Sequence, residues 1–184
     1  MVETMQASRK PVLKGQRGGG AGVRLTPAEP AFRISLRAAS GDVKALSKAL
    51  GITLPARPKG SAVARSRLAF WLGPDEWLVI DERGEDLMAA AAASGVAHSA
   101  VDVSHRNTAI IVSGPQAEIV LNSGCPQDLS LKAFPVGAVS RTLLGKIEIV
   151  LYRVDDETFR VECWRSFAGY AFGLLEEAAQ LAIG

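Results

Sequence analysis

Cysteine and histidine are scarce in this sequence, two of each in 184 residues. Cys125 and Cys163 lie far apart with no C-x-x-C spacing, so neither a zinc ribbon nor a dithiol redox pair can be built on them. Two free, buried thiols in a reducing cytoplasm are expected instead. His98 and His105 add no ligands at metal spacing, so no metal site is expected. An excess of charge of one sign is also lacking. The net charge is only +2, with nothing that resembles a basic nucleic-acid surface, so no nucleic-acid partner is expected. Long apolar runs are missing too. The stretch at 87–93 is mostly alanine and falls far short of the roughly 20 residues that cross a bilayer, so no membrane partner is expected. No charged start followed by an apolar segment opens the chain, and a cytoplasmic location is the expectation.

What is present divides into a short leading segment and an ordinary globular remainder. Residues 1–30 hold Arg9, Lys10, Lys14, Arg17 and Arg24 against Glu3 and Glu29, together with the run Gly18-Gly19-Gly20 and few large apolar residues. A flexible basic arm is expected there. The glycines do not read as a phosphate loop, because no strand precedes them, no helical pattern follows and the P-loop lysine is absent.

From residue 31 the pattern is a succession of short strands and helices. Phe32, Ile34 and Leu36 alternate with Arg33, Ser35 and Arg37, which predicts a strand with one apolar and one solvated face. Ser40 or Asp42 caps a helix carrying Val43, Leu46 and Leu50 that stops at Gly51. Residues 52–60 read as a loop, 68–72 and 77–80 as a hairpin across a Gly-Pro-Asp-Glu turn, and 85–94 as an alanine-rich helix. The densest stretch is 101–129. Val101 and Val103 predict a half-buried strand, 108–112 a neighbouring one, and Pro115 opens a helix carrying Ala117, Val120 and Leu121 that ends at Gly124.

The same plan therefore occurs twice. Glycines bracket helices of equal length at 41–51 and 114–124, acidic turns recur at Asp75-Glu76 and Asp156-Glu157, and a helix closes each copy. The second copy reads longer by one strand, since both 138–144 and 147–153 fit strands. Two copies of a βαββα-type unit, at 31–100 and 101–184, predict an α+β protein with antiparallel sheets and helices on one face of each. The last helix presents Ala171, Leu174, Leu175, Ala178 and Leu181 as its core stripe.

Catalytic constellations are thin. Asp102, Ser104 and His105 are close in sequence, but a strand places Asp102 and Ser104 on one face without the histidine between them, which excludes a local triad. Asp81-Glu82 and Asp155-Asp156-Glu157 fall at strand ends and turns and read as solvated acids. No catalytic residue is expected. Trp164 and Arg165 are of the types enriched at the centres of protein interfaces, as are Trp71 and Trp77, and these four are the candidate subunit contacts. Phe167 and Tyr170 either join them or seat the last helix in the core.

The ordered series VDVSHRNTAIIVSGP, GCPQDL and LLGKIEIVLYRVDDETFRVECWRSFAGY resembles the gamma subunit family of heterotetrameric sarcosine oxidase. More distantly the sequence is similar to the folate-binding aminomethyltransferases of the glycine cleavage system. The resemblance covers residues 32–184. It implies two ferredoxin-like halves in an aminomethyltransferase-like, folate-binding-domain-like fold. It also implies a non-catalytic accessory role beside alpha, beta and delta subunits, with FAD, FMN, NAD and tetrahydrofolate held in the whole complex and no cofactor on this chain. Where the folate-binding relatives carry paired aspartates, this sequence has Ile147 and Glu148, so Glu148 is the one folate-contact candidate. The alternatives are a free-standing folate-binding protein or one-carbon transferase using Glu148, and a protein-binding module for another partner.

Overall fold

A computed structural model of the chain describes residues 11–182. In chain order the elements are β1 (Gly18–Gly20), β2 (Val23–Pro27), β3 (Phe32–Ala38), α1 (Val43–Leu50), β4 (Ser61–Ala64), β5 (Arg67–Gly73), β6 (Glu76–Asp81), α2 (Leu87–Ala92), β7 (His98–Asp102), β8 (Asn107–Ser113), α3 (Ala117–Asn122), β9 (Val139–Leu144), β10 (Ile147–Arg153), β11 (Thr158–Trp164) and α4 (Ala168–Leu181). The strands form two antiparallel sheets, ordered β4-β5-β6-β3-β7 and β1-β2-β8-β11-β10-β9.

The mixed α+β class with antiparallel sheets is as expected, and three details differ. The loop expected before the first hairpin leads into an extra strand, β4, which has the place in the first half that β9 has in the second. Strands β7 and β8 are not neighbours: β7 closes the first sheet against β3, while β8 sits inside the second between β2 and β11. Val101 is accordingly exposed at an edge, and the first half extends to Asp102. Finally, the expected flexible arm does not hold at 18–27, where β1 and β2 form a hairpin that extends the second sheet. Residues 1–10 of that arm lie outside the described residues.

Glycine explains why this hairpin can pack. Gly114 has φ +122°, and a Cβ on it would overlap the carbonyl oxygen of Gly22; Gly19, at φ +129°, meets Val23 in the same way. Glycine at these positions permits the close backbone approach. Gly124 is also a packing position. The helix before it ends at Asn122 without a left-handed cap, and a Cβ on Gly124 would lie 3.0 Å from Leu144 Cδ1.

Four layers result. Strand alternation sends Ile34, Leu36, Trp77 and Val79 to one side of the first sheet, under Leu46 and Leu50 of α1 and Leu87 of α2. Ile110, Val112, Ile149, Leu151, Phe159 and Val161 meet α3 and α4 on the far side of the second. The remaining faces press together in the middle, where Phe70, Leu78 and Ile80 meet Val139, Val150 and Tyr152, and the Phe70 and Tyr152 rings lie 4.7 Å apart. The face of β3 expected to be solvated is therefore covered by another sheet, and Arg33 on it is buried.

Candidate functional site

The space between the sheets holds a chain of ion pairs. Glu162, from β11, is buried and accepts from Arg33 on both oxygens, Nε to Oε2 at 2.8 Å and Nη2 to Oε1 at 3.1 Å, while Arg160 Nε also donates to Oε1 at 2.8 Å. Arg160 Nη1 continues to Glu82 at 2.7 Å, at the end of the opposite sheet. Burial alone would raise the Glu162 pKa, but the Arg33 and Arg160 guanidiniums outweigh it and hold the carboxyl below the usual range. Burial likewise opposes the charge on Arg160, and Glu162 and Glu82 more than offset it. Cys163, next on the strand, points into the other core, where burial and then Glu162 push its thiol up to about 12. That thiol is inert at neutral pH.

At one end of this layer a cleft opens, lined by Ser35, Glu76, Arg106, Arg141, Glu148 and Trp164 among others. Glu76 accepts from Arg37 at 3.0 Å and Arg141 at 2.5 Å, and Glu148 lies 3.9 Å from Arg141. Two residues singled out in the sequence, Glu148 and Trp164, are thus brought to one cleft. Its volume is about 50 Å³, well below the roughly 300 Å³ at which pockets for drug-sized ligands begin. Glu148, with its side chain 57% exposed, is a surface carboxylate beside an arginine and not a desolvated acid aimed at an amine.

The other sequence candidates separate. Trp77 is 1% exposed and donates from Nε1 to the Pro55 carbonyl at 2.7 Å, so it is a core residue and not a contact surface. Trp71, opposite it in the hairpin, packs half-buried against the same helix-side core. Trp164 is exposed, stacked on Phe167 and flanked by Arg106, and Arg165 is half-buried beside it. Phe167 and Tyr170 do not seat the last helix; both face outward, and Ala168, Ala171, Phe172 and Leu175 pack inward instead. Leu174 is only partly buried and Leu181 is exposed.

Ser104 Oγ bonds Asp102 at 2.5 Å and receives the Arg33 amide at 2.9 Å, a turn closure in which His105 takes no part. Asp81, expected to be solvated, is buried. Burial would raise its pKa, but the Arg67 hydrogen bond and the Arg83 and Glu85 amides bring it below the usual range. Both cysteines are free and buried, and among the described residues no group of acids, cysteines and histidines could hold a metal ion. Among the described residues no helix is long and apolar enough to cross a membrane.

The model of the sarcosine oxidase gamma subunit family matches residues 30–180. The chain belongs to that family. The gamma subunit of Corynebacterium sp. (strain P-1) is 33% identical over 97% of this chain and 93% of its own, and that of Arthrobacter sp. is 34% identical over 71% and 67%. Among solved structures, heterotetrameric sarcosine oxidase from Corynebacterium sp. U-96, in complex with pyrrole 2-carboxylate, matches at TM-score 0.82 and 29% identity, covering 88% of this chain and 87% of that one. Aminomethyltransferase T of the glycine cleavage system from Bartonella henselae matches at TM-score 0.64 and 14% identity, over 85% of this chain and 46% of that one, which shows a shared fold. This gamma subunit thus keeps the aminomethyltransferase-like architecture. The Arg33-Glu162-Arg160 bridge was not legible in the sequence, because Arg33 lies 129 positions from Glu162. The only trace was an arginine and a glutamate on strand faces otherwise flanked by apolar residues.

Proposed function

We propose that this chain is a non-catalytic accessory subunit of a heterotetrameric sarcosine oxidase, assembled with alpha, beta and delta subunits. The complex oxidatively demethylates sarcosine to glycine, hydrogen peroxide and formaldehyde, the last captured as 5,10-methylenetetrahydrofolate when folate is present. FAD, FMN, NAD and tetrahydrofolate reside on the partner subunits. The observation that carries this reading is the nearly end-to-end match, in both directions, to a chain of the Corynebacterium sp. U-96 oxidase. The residues agree with it. The glycine run lies in a β-hairpin instead of at a strand-to-helix turn, so it offers no dinucleotide cradle. The Glu148 carboxylate, largely exposed and beside Arg141, supports the same reading.

The halves are ferredoxin-like in this reading, on the support of the strand orders β7-β3-β6-β5 and β2-β8-β11-β10 within the two sheets. A cytoplasmic location accords with two free, buried thiols. The test is affinity purification of the tagged chain from its native cells. Larger chains in fixed ratio with a flavin absorbance spectrum are expected. A colourless single band, together with tetrahydrofolate binding that Glu148→Gln abolishes, would replace this reading with a free-standing folate protein.

A further inference from the structure

α4 holds the second sheet with one side only, through Ala171, Phe172, Leu175 and Ala179. Around its first turn an aromatic group faces outward. Trp164 and Phe167 stack with ring centroids 6.0 Å apart, Tyr170 follows about one turn on, and the three are 43%, 40% and 42% exposed. Singly scattered apolar residues are normal on a protein surface, but adjoining large aromatics are the kind of surface that centres an interface. The group is held in place. The Arg106 guanidinium lies 5.3 Å from the Trp164 ring centre, the Arg165 amide donates to the Arg106 carbonyl at 2.6 Å, and the Tyr170 hydroxyl accepts the Lys146 amide at 3.3 Å. The charge set against it is the Arg106 guanidinium, while the carboxylates Glu76 and Glu148 of the adjoining cleft face Arg141.

We propose that the Trp164-Phe167-Tyr170 patch is the surface by which this chain seats on a larger subunit of the oxidase, and that the segment it receives carries a carboxylate opposite Arg106. The proposal rests on the accessory-subunit reading above. Charge selects this occupant. A second copy docked through the same patch would bring Arg106 towards its own image, whereas an acidic segment pairs it. The apolar rings supply the desolvated centre, and Arg106 supplies a rim charge that speeds encounter and weakens with salt.

The test coexpresses the tagged chain with the other subunits of the same oxidase and measures how much of each is retained on the tag. Two variants are compared with the unsubstituted chain: Trp164→Ser with Phe167→Ser, and Arg106→Glu alone. Thermal unfolding of each isolated variant checks that it folds, and Arg106→Glu, on an exposed side chain, covers the case in which the double variant does not. Retention is expected to fall at least about tenfold for the double variant, since buried aromatics are the residues whose loss costs most at an interface. Arg106→Glu should lower it and remove part of its salt sensitivity. A folded variant of either kind that retains the subunits as well as the unsubstituted chain overturns the proposal. So does a patch whose loss abolishes only self-association of the isolated chain. Failure of the unsubstituted chain to retain any subunit removes the accessory reading itself, and the proposal with it.

Discussion

Glu162 joins the two sheets electrostatically, and its surroundings set two expectations. Glu162→Gln leaves Arg33 and Arg160 buried without their shared counter-ion, and breaking a buried pair from one side costs about 3–5 kcal/mol; urea unfolding of the variant measures it. The pH dependence has a definite sign. The Glu162 and Asp81 carboxyls lie below their ordinary range in the fold. Their contribution is therefore complete above the unfolded carboxyl pKa of about 4 and is lost as pH falls further, through the folded values. Stability measured against pH should drop on the acid side, and Glu162→Gln should flatten that limb. At Trp77 a third expectation follows: Trp77→Phe keeps most of the ring but removes the hydrogen bond to the half-buried Pro55 carbonyl, at a cost of about 1 kcal/mol by urea unfolding. Sequence pattern marked Arg33 as solvated because period-two alternation separates faces without saying what covers each. It marked Trp77 as a contact candidate for the same reason. Trp164 stood out by residue type and Glu148 by its place in the family resemblance, and their sharing of one cleft follows from β10 and β11 pairing side by side.

Two elements show how far local pattern reaches. In α4 the apolar periodicity is broad enough to fit more than one face, and the packing chose Ala171, Phe172 and Leu175 over Leu174 and Leu181. Leu175→Ala should cost about 2–5 kcal/mol by thermal or chemical unfolding, and Leu174→Ala, only partly buried, distinctly less. The β1–β2 hairpin was hidden because three glycines carry no strand signal and no side chains to pattern. Its attachment is testable through Gly114→Ala, which meets both an unfavourable φ and the Gly22 carbonyl. Amide exchange at 18–27 should rise in that variant, while exchange in the first sheet stays as it was. By contrast, α1 was read to within a residue, since Gly51 closes it in the left-handed conformation at φ 62° and its apolar residues recur at helical spacing.

For the whole molecule the telling feature is how the second half is completed. In the first half β7 returns beside β3; in the second, the corresponding place beside β8 is filled by β2, which precedes the first half in the sequence. Removing residues up to 27 should uncover the edge of β8 and the core residues Val23 and Leu25 pack against, giving a chain that aggregates or binds a hydrophobic dye. A soluble truncated chain with an unchanged melting temperature would show the hairpin to be dispensable. The sequence by itself determined the α+β class, the duplicated plan and most strands and helices, because these follow from periodicities of two and 3.6 residues and from glycine and proline punctuation between neighbours in the chain. Only the tertiary structure decided which strands share a sheet, that the two sheets face each other, which arginine meets Glu162 and which tryptophan stays outside. Those outcomes depend on contacts between residues far apart in sequence, whose partners no local pattern names.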